Sequence, residues 1–331
     1  MSETYDMAIL DQVEATIDRF LRVRSEIGRA IFGQERVVEE SLITLLSGGH
    51  VLLVGVPGLA KTRLAETLGI VLGMVQKRVQ FTPDLMPADI LGSEVLEEAE
   101  TGRRSFRFIS GPIFCQLLMA DEINRASPRT QAALLQAMQE RRVTVAGHDH
   151  GLPEPFHVLA TQNPIEQEGT YPLPEAQLDR FLLQVNVDYP DPAAEKRMMI
   201  ETTGVGGETV SPVMNAGQLI AAQTLVRRIP VGERVVDAIL ALVRAGRPAS
   251  GASGEMEELI AWGPGPRASQ ALMLTVRARA LLQGRLSPSV EDVVALAPPV
   301  LRHRMALTFT ARAEGVTLDQ VIERLCATIA A

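Results

Sequence analysis

The chain contains little cysteine and no long hydrophobic run. Its two cysteines, Cys115 and Cys326, lie far apart in the 331 residues, so the sequence gives no sign of a disulfide framework. The N-terminal sequence MSETYDMAIL lacks the basic region and apolar stretch of a secretory leader. No later run approaches the roughly 20 apolar residues that cross a bilayer. We therefore expect a cytoplasmic protein without a membrane span.

An excess of positive charge is also absent. The 32 Lys and Arg residues stand against 40 Asp and Glu residues, which gives a net charge of -8. The composition therefore predicts no general basic surface, and we do not expect nucleic acid as a partner. Hydrophobic residues make up 46% and charged residues 22%, as in ordinary globular proteins. At about 100–200 residues per domain, the length predicts two domains.

The most informative segment is GVPGLAKT, residues 55–62, which directly follows the apolar run Val51–Val54. A buried strand that leads into a glycine-containing turn and a helix presents backbone N–H groups to phosphate oxygens. Lys61 is predicted to reach the β- and γ-phosphates of ATP, and the Thr62 hydroxyl is predicted to bind Mg²⁺. The predicted nucleotide-binding residues of this loop are Val56, Pro57, Gly58, Leu59, Ala60, Lys61, Thr62 and Arg63.

Ala60 departs from the usual pattern G-x-x-x-x-G-K-[ST], which has glycine at this position. Alanine fits if it keeps a negative φ and if the phosphates can still approach its Cβ. We therefore expect a negative φ at Ala60 and a slightly altered loop geometry. The alternative interpretation is a strand-to-helix turn that binds no ligand.

Two adjacent carboxylates follow a second apolar strand. The run Cys115–Ala120 ends in Asp121 and Glu122, and in a parallel sheet this end faces the same crevice as the phosphate loop. We predict that Asp121 holds a Mg²⁺-bound water and that Glu122 orients or deprotonates the water that attacks the γ-phosphate. A solvated acidic strand end is the alternative, but it does not explain the pairing with Lys61 and Thr62.

Apolar runs alternate with helical patterns in the first part of the chain, which predicts a parallel sheet covered by helices on both sides. The predicted strands are Val51–Val54, Lys77–Phe81, Gln116–Ala120, Phe156–Thr161 and Phe181–Val187. The predicted β-hairpins between them are Ile90–Leu96 with Ser105–Ile109, and a second one that begins at Arg142–Val145. After Tyr189–Pro192 only helical periodicity continues. We therefore predict a nucleotide-binding domain over 1–188 and a helical domain over 189–331, with a mobile loop at Gly246–Gly254.

Three more polar residues stand at the ends of predicted elements. Asn163 follows the fourth strand and is predicted to sense the γ-phosphate or to fix the attacking water, although Asn-Pro also starts turns. Arg180 precedes the fifth strand and is predicted to stabilise charge on the transferring phosphate, with a surface cap as the alternative. Arg267 begins a helix of the second domain, where it is placed to reach a phosphate across the domain interface.

The chain resembles the MoxR branch of the AAA+ ATPases over nearly its whole length. The motifs that carry the resemblance are GGHVLLVGVPGLAKT, LLMADEINRASPRTQAALLQAMQE, ATQNP, LPEAQLDRF and the GPR that opens a lid helix. The resemblance implies an α/β fold: an AAA+ P-loop αβα core with a five-stranded parallel sheet and inserted β-hairpins, followed by a smaller all-α lid. It assigns Lys61 and Thr62 to Walker A, and Asp121 and Glu122 to Walker B.

The same resemblance implies roles for the remaining site residues. Asn163 would be sensor 1, Arg267 would be sensor 2, and Arg180 would be an arginine finger that acts on a neighbouring protomer's nucleotide. The residues implied to lie near the adenine are Ile31, Phe32 and Gly33. The family implies a homo-oligomeric ring, usually a hexamer with ATP between protomers, and a partner that contains a von Willebrand factor A domain.

Our hypothesis is a Mg²⁺-dependent ATPase that remodels or matures a protein client, with metal-cofactor loading suggested by analogy. The hairpin arginines that could contact the client, or form a solvated basic face, are Arg103, Arg104, Arg107, Arg141 and Arg142. The alternatives are an ATPase subunit of a magnesium-chelatase-like complex, a DNA-directed motor or regulator, and a scaffold that binds ATP but scarcely hydrolyses it.

Overall fold

The computed structural model describes residues 2–98, 104–166, 169–203, 209–248 and 254–330. Arg103 and residues 249–253 of the predicted mobile loop lie outside the described residues. The strands of the first part are β1 (Val51–Val54), β2 (Gln76–Gln80), β3 (Gly92–Glu98), β4 (Arg104–Ser110), β5 (Leu117–Asp121), β6 (Arg142–Val145), β7 (His148–Gly151), β8 (His157–Gln162) and β9 (Leu183–Asn186). The helices of the first part are α1 (Ser2–Gly28), α2 (Glu35–Leu46), α3 (Lys61–Val71), α4 (Pro87–Leu91), α5 (Pro128–Glu140) and α6 (Glu175–Leu178).

Five strands form one parallel sheet in the order β2-β5-β8-β1-β9, which confirms the predicted sheet. Val51 of β1 is aligned with Leu159 of β8 on one side and with Leu183 of β9 on the other. Because all five strands run in the same direction, their C-terminal ends share one edge of the sheet, called here the carboxyl edge. Their N-terminal ends share the opposite edge, called here the amino edge.

Helices cover both faces of the sheet, because successive strand residues point to opposite sides. Leu52 belongs to an apolar cluster that includes Leu134 of α5. Leu53 belongs to a second cluster that includes Leu42 of α2 and continues to Leu272 in the C-terminal helical part. The sheet and the C-terminal helices therefore share one hydrophobic core.

Two antiparallel hairpins interrupt the alternation of strands and helices, as predicted. The β3–β4 hairpin lies between α4 and β5, and the β6–β7 hairpin lies between α5 and β8. Leu96 pairs with Phe106 near the outer end of the first hairpin. The two hairpins touch through the ring of Phe108, which is stacked on the ring of His150 with centroids 3.8 Å apart and an interplanar angle of 14°.

The second part of the chain is largely helical. Its elements are α7 (Pro192–Thr203), α8 (Ala216–Arg228), α9 (Glu233–Ala245), α10 (Gly254–Leu259), β10 (Ile260–Trp262), α11 (Pro266–Leu282), α12 (Val290–Leu301), β11 (Ala306–Leu307), α13 (Phe309–Ala313) and α14 (Leu318–Ala330). The short β10–β11 ribbon adds to the helices that the sequence predicted. None of the helices in the described ranges is both long and apolar enough to cross a membrane.

Candidate functional site

A cavity of about 400 Å³ lies at the carboxyl edge, where β1, β5 and β8 end side by side. We call it the carboxyl-edge cavity. Its lining residues are Pro57, Gly58, Leu59, Ala60, Lys61, Thr62, Arg63, Asp121, Glu122, Thr161 and Asn163. The structure therefore brings the predicted phosphate loop, the paired carboxylates and the predicted sensor asparagine into one space.

The phosphate loop makes a left-handed turn just before α3. Gly58 has φ +85°, and Ala60, which caps the helix, has φ +56°. The expected negative φ at Ala60 is therefore wrong. A left-handed conformation costs an alanine about 1–2 kcal/mol because its Cβ crowds the following carbonyl oxygen. This part of the chain keeps a strained residue at the point where backbone N–H groups begin to line the cavity.

Lys61 is folded back onto its own loop. Its Nζ donates to the carbonyl oxygen of Gly55 and, at 2.9 Å, to that of Val56. Val56 thus contributes to the loop although it does not line the cavity. Partial burial lowers the pKa of Lys61, whereas the nearby carboxylates of Asp121 and Glu122 raise it. The ammonium group is therefore held by weak carbonyl partners that a phosphate can replace.

Asp121 is held by two donors. Its Oδ1 accepts a hydrogen bond from the Thr161 hydroxyl at 2.6 Å, and its Oδ2 accepts one from the Arg78 guanidinium at 2.6 Å. The Thr161 hydroxyl oxygen also accepts the backbone N–H of Glu122 at 2.8 Å. One hydroxyl therefore links both members of the carboxylate pair.

Glu122 has a left-handed backbone, with φ +56°. Its carboxylate accepts a hydrogen bond from the Gln80 amide at 2.7 Å and another from Arg125 at 3.1 Å. The strained backbone and these two donors fix the direction in which the carboxylate enters the cavity. Non-glycine residues in this conformation cluster at functional sites.

Asn163 follows β8 and is less tightly fixed. Its side-chain oxygen accepts the Ile165 N–H at 3.2 Å, and its side-chain nitrogen donates to Glu166 at 3.4 Å. The amide therefore begins a turn, as the Asn-Pro alternative proposed, and also lines the cavity. The turn is therefore observed, and the role of Asn163 at the γ-phosphate stays a prediction.

Sequence reasoning assigned no role to Thr161, Arg78 and Gln80. Gln80 is aligned with Asp121 across the β2–β5 pair, and Arg78 lies two residues earlier, on the same face of β2. The available signal was a pair of polar residues at alternate positions of a strand. Using it would have required the knowledge that β2 lies next to β5.

The oxygen donors in the cavity fit Mg²⁺. Thr62 supplies a hydroxyl and Asp121 a carboxylate, and both line the same space. Among the described residues, no three or more His, Cys, Asp or Glu side chains gather into a cation site. Mg²⁺ commonly takes only one or two protein ligands and completes its shell with phosphates and water.

Arg180 and Arg267 lie elsewhere. They line a separate cavity of about 300 Å³ at the amino edge, called here the amino-edge cavity, together with His50 and Asp179. The Leu182 N–H donates to the His50 carbonyl oxygen at 2.7 Å, which places Arg180 just before the amino end of β9. The four-residue strands alone separate the two edges by about 13 Å. Arg267 is thus not at the phosphate loop of its own chain, which corrects the prediction that it reaches a phosphate across the domain interface.

The predicted adenine residues lie beside the carboxyl edge. Ile31 is buried, and the Phe32 ring lies under the Arg197 guanidinium at 4.7 Å. Gly33 has φ +66° and packs so closely that an added Cβ would lie 2.8 Å from the Cβ of Pro190. They therefore pack on the segment that leaves the carboxyl end of β9, and they do not line the carboxyl-edge cavity.

The parallel sheet, the phosphate loop and the paired carboxylates define a P-loop ATPase of the AAA+ class. Residues 50–183 match the ATPase family associated with various cellular activities (AAA), and residues 255–325 match the AAA lid domain. Chaperone MoxR1 of Mycobacterium tuberculosis is 43% identical over 317 residues, which cover 96% of this chain and 83% of the relative. The chain belongs to the MoxR family of AAA+ ATPases.

Two further comparisons agree with this assignment. Protein MoxR of Methylorubrum extorquens is 31% identical over 307 residues, which cover 88% of each chain. A crystal structure of a protein from Cytophaga hutchinsonii has a TM-score of 0.89 and 34% identity, with 96% of each chain covered. Similarity therefore extends over both the sheet and the helical lid.

Proposed function

We propose that the carboxyl-edge cavity binds Mg²⁺ and ATP and that the chain hydrolyses the γ-phosphate. The observation that carries the proposal is the convergence of Lys61, Thr62, Asp121, Glu122 and Asn163 on one cavity. Phosphoryl transfer depends mainly on positioned charges and on an oriented nucleophile. An acidic strand end with no catalytic role would not need to share a space with a phosphate loop.

Each group has a distinct task in this proposal. Lys61 leaves its carbonyl partners and neutralises charge on the β- and γ-phosphates. Thr62 and Asp121 hold Mg²⁺, which supplies charge neutralisation when bound. Glu122 orients the attacking water and accepts its proton, and Asn163 fixes the γ-phosphate or that water. Ile31, Phe32 and Gly33 contribute to the adenine end of the site.

The proposed active unit contains more than one copy of the chain. Arg180 and Arg267 line the amino-edge cavity, whereas Lys61 lines the cavity at the opposite, carboxyl edge of the sheet. No ion pair joins Arg180 to another of the described residues. Its charge is therefore available to an external anion. A ring in which the amino-edge cavity of one protomer faces the carboxyl-edge cavity of the next would use both arginines, and we propose such a homo-oligomer, as a hexamer.

ATP turnover serves a protein client in this proposal. A relative that covers most of the chain is named a chaperone, which supports remodelling or maturation of another protein. The family resemblance adds a von Willebrand factor A domain partner and metal-cofactor loading of client enzymes. These finer assignments rest on analogy, whereas the ATPase proposal rests on the cavity.

The test is steady-state ATP turnover at matched protein concentration, with nucleotide binding measured in parallel. Lys61→Ala should weaken ATP binding, whereas Glu122→Gln should bind ATP and lose turnover. Parent protein without any turnover, alone or at high concentration, would refute the hydrolysis proposal. Equal turnover in the parent and Glu122→Gln would refute the role of that carboxylate.

The shared site has its own test. Arg180→Ala should bind ATP normally but turn it over at a rate lower by about 10³-fold. Mixing Arg180→Ala with Glu122→Gln should restore part of the activity, because one mixed interface then combines an intact Glu122 with an intact Arg180. Undiminished turnover in Arg180→Ala would contradict the assignment.

A further inference from the structure

Arg304 of the lid is almost completely buried at the junction with the sheet. The residue lies in the short turn Arg302–Arg304 that follows α12, and its side chain is 3% exposed. It donates at 2.6 Å to the Val300 carbonyl oxygen within the lid. It also donates to the Phe181 and Leu182 carbonyl oxygens, at 2.7 Å and 3.0 Å, in the segment that enters β9. One lid side chain therefore binds both the backbone that follows Arg180 and the lid helix α12.

Asp179 joins this arginine to a second one. Its Oδ1 accepts from Nε of Arg304 at 2.7 Å, and its Oδ2 accepts from Arg267 at 3.3 Å. Burial lowers the pKa of Arg304, and the Asp179 carboxylate opposes that shift. A buried guanidinium in this position depends on its counter-charge, because an unpaired buried charge is strongly unfavourable.

The order of residues along the chain also links the Asp179–Arg304 pair to Arg180. Asp179 directly precedes Arg180, and Arg304 binds the carbonyl oxygens of the two residues that follow it. Arg267 comes from α11 of the lid and lines the same amino-edge cavity as Arg180. The backbone around Arg180 and the side chain of Arg267 are therefore tied to one ion pair, formed by the buried Arg304 and the half-buried Asp179.

We propose that the Asp179–Arg304 pair is a positioning device that holds Arg180 and Arg267 as one unit for the phosphate of a neighbouring protomer. This inference rests on the proposed shared ATPase site. The lid and the sheet present the two arginines together, and neither arginine is aimed by its own element alone. In this proposal Asp179 and Arg304 act on the phosphate only through the two arginines.

The experiment uses Asp179→Asn in the full chain. This change keeps the side-chain shape but removes the negative charge that pairs with Arg304 and Arg267. We expect turnover to fall by about tenfold or more, because small misplacements of catalytic groups are costly. ATP binding by the variant's own phosphate loop should change by less than about threefold, since the two edges lie about 13 Å apart.

Asp319→Asn is the matched control. Asp319 accepts from Arg302 at 2.7 Å, so the control breaks another Arg–Asp pair of the same lid turn without touching the segment before β9. We expect turnover close to that of the parent. A loss equal to that of Asp179→Asn would mean that any weakened lid pair is enough, and it would overturn the positioning role.

Mixing provides a readout that a folding defect would not give. Asp179→Asn keeps an intact phosphate loop, and Glu122→Gln keeps an intact arginine edge. A mixed assembly should therefore turn over ATP faster than either variant alone. The double variant Asp179→Asn with Arg180→Ala should be no slower than Arg180→Ala, because both changes act on one unit.

Besides an equal loss in the Asp319→Asn control, three outcomes would overturn the inference while the ATPase proposal stands. They are parent-like turnover of Asp179→Asn, failure of Glu122→Gln to restore activity in the mixture, and an additive loss in the double variant. Arg304→Lys gives a second test, because lysine keeps the buried charge but cannot reproduce the forked contacts. It should show the same separation of lowered turnover from preserved binding. Absence of turnover in the parent would instead refute the proposed function itself.

Discussion

Two buried imidazoles near the amino edge should make the fold sensitive to acid. Nε2 of His157 accepts from the Gln223 amide of the lid at 3.0 Å, and Nδ1–H donates to the Gly49 carbonyl oxygen at 2.8 Å. Nδ1 of His50 accepts the Val158 N–H at 3.0 Å. Both rings are therefore neutral in the folded protein. Burial lowers the pKa of His50 to about 3 and that of His157 to about 4.

The size of the effect follows from proton linkage. In the unfolded chain a histidine has a pKa of about 6.5, so below that pH the unfolded state binds protons that the folded state does not accept. The stability contribution is complete above about pH 6.5 and decreases as the pH falls toward the folded-state values. At about pH 5, each ring should cost about 2 kcal/mol relative to pH 7.5, or about 4 kcal/mol for both. Single domains are stable by only about 5–15 kcal/mol in total.

The assay is urea unfolding at about pH 7.5 and about pH 5 for the parent, His157→Gln and His148→Gln. Other groups also titrate in this range, so the difference between variants isolates one ring. The free energy of unfolding of His157→Gln should fall by about 2 kcal/mol less than that of the parent between the two pH values. His148 is exposed, so His148→Gln is the control for the loss of a histidine side chain at the surface. An identical pH dependence in the parent and His157→Gln would refute the reasoning.

Three further predictions concern the carboxyl-edge cavity. Ala60→Gly should raise the free energy of unfolding by up to about 1 kcal/mol in urea titrations, because glycine accepts φ +56° without the Cβ penalty; a clear loss would contradict the strain argument. Arg78→Gln should lower the Mg²⁺ concentration that half-saturates nucleotide binding by about threefold, because Arg78 pairs with Asp121 and partly exposed pairs contribute up to about 1 kcal/mol. Lys77→Gln removes the same charge one residue away and is the control, so equal shifts would point to a general charge effect. Asn163→Ala should lower turnover roughly tenfold or more with ATP binding preserved, and parent-like single-turnover rates would contradict its role.

The order of elements could be predicted from local pattern, because each buried strand is a short apolar run bounded by turn residues. Strand β1 was predicted at Val51–Val54, as the structure has it. Strand β9 was predicted too long, as Phe181–Val187, because apolar residues on both sides of Leu183–Asn186 are buried outside the ladder. The prediction of a negative φ at Ala60 was wrong because loop closure sets this angle, whereas alanine's own preference is for negative φ.

The site could be predicted only in part, for a physical reason. Lys61 and Asp121 follow apolar strands, and parallel strands bring such ends together whatever their order. The position of Arg267 depends on how the lid packs on the sheet, which is fixed by contacts such as the Arg304–Asp179 pair between distant parts of the chain. The donors to Asp121 likewise depend on strand order, since Arg78 reaches it across 43 residues of sequence.

The stacked rings of Phe108 and His150 have a mechanical consequence. They join two separate insertions into a single arm, so that neither hairpin can tilt without displacing the other. The β6–β7 hairpin joins the end of α5 to the start of β8, so the arm is rooted near the amino edge. Its far end carries the exposed pair Leu96 and Phe106, which are 50% and 70% exposed. Because these two apolar side chains lie far from the root, a small rotation there moves them over a longer distance than it moves the root itself.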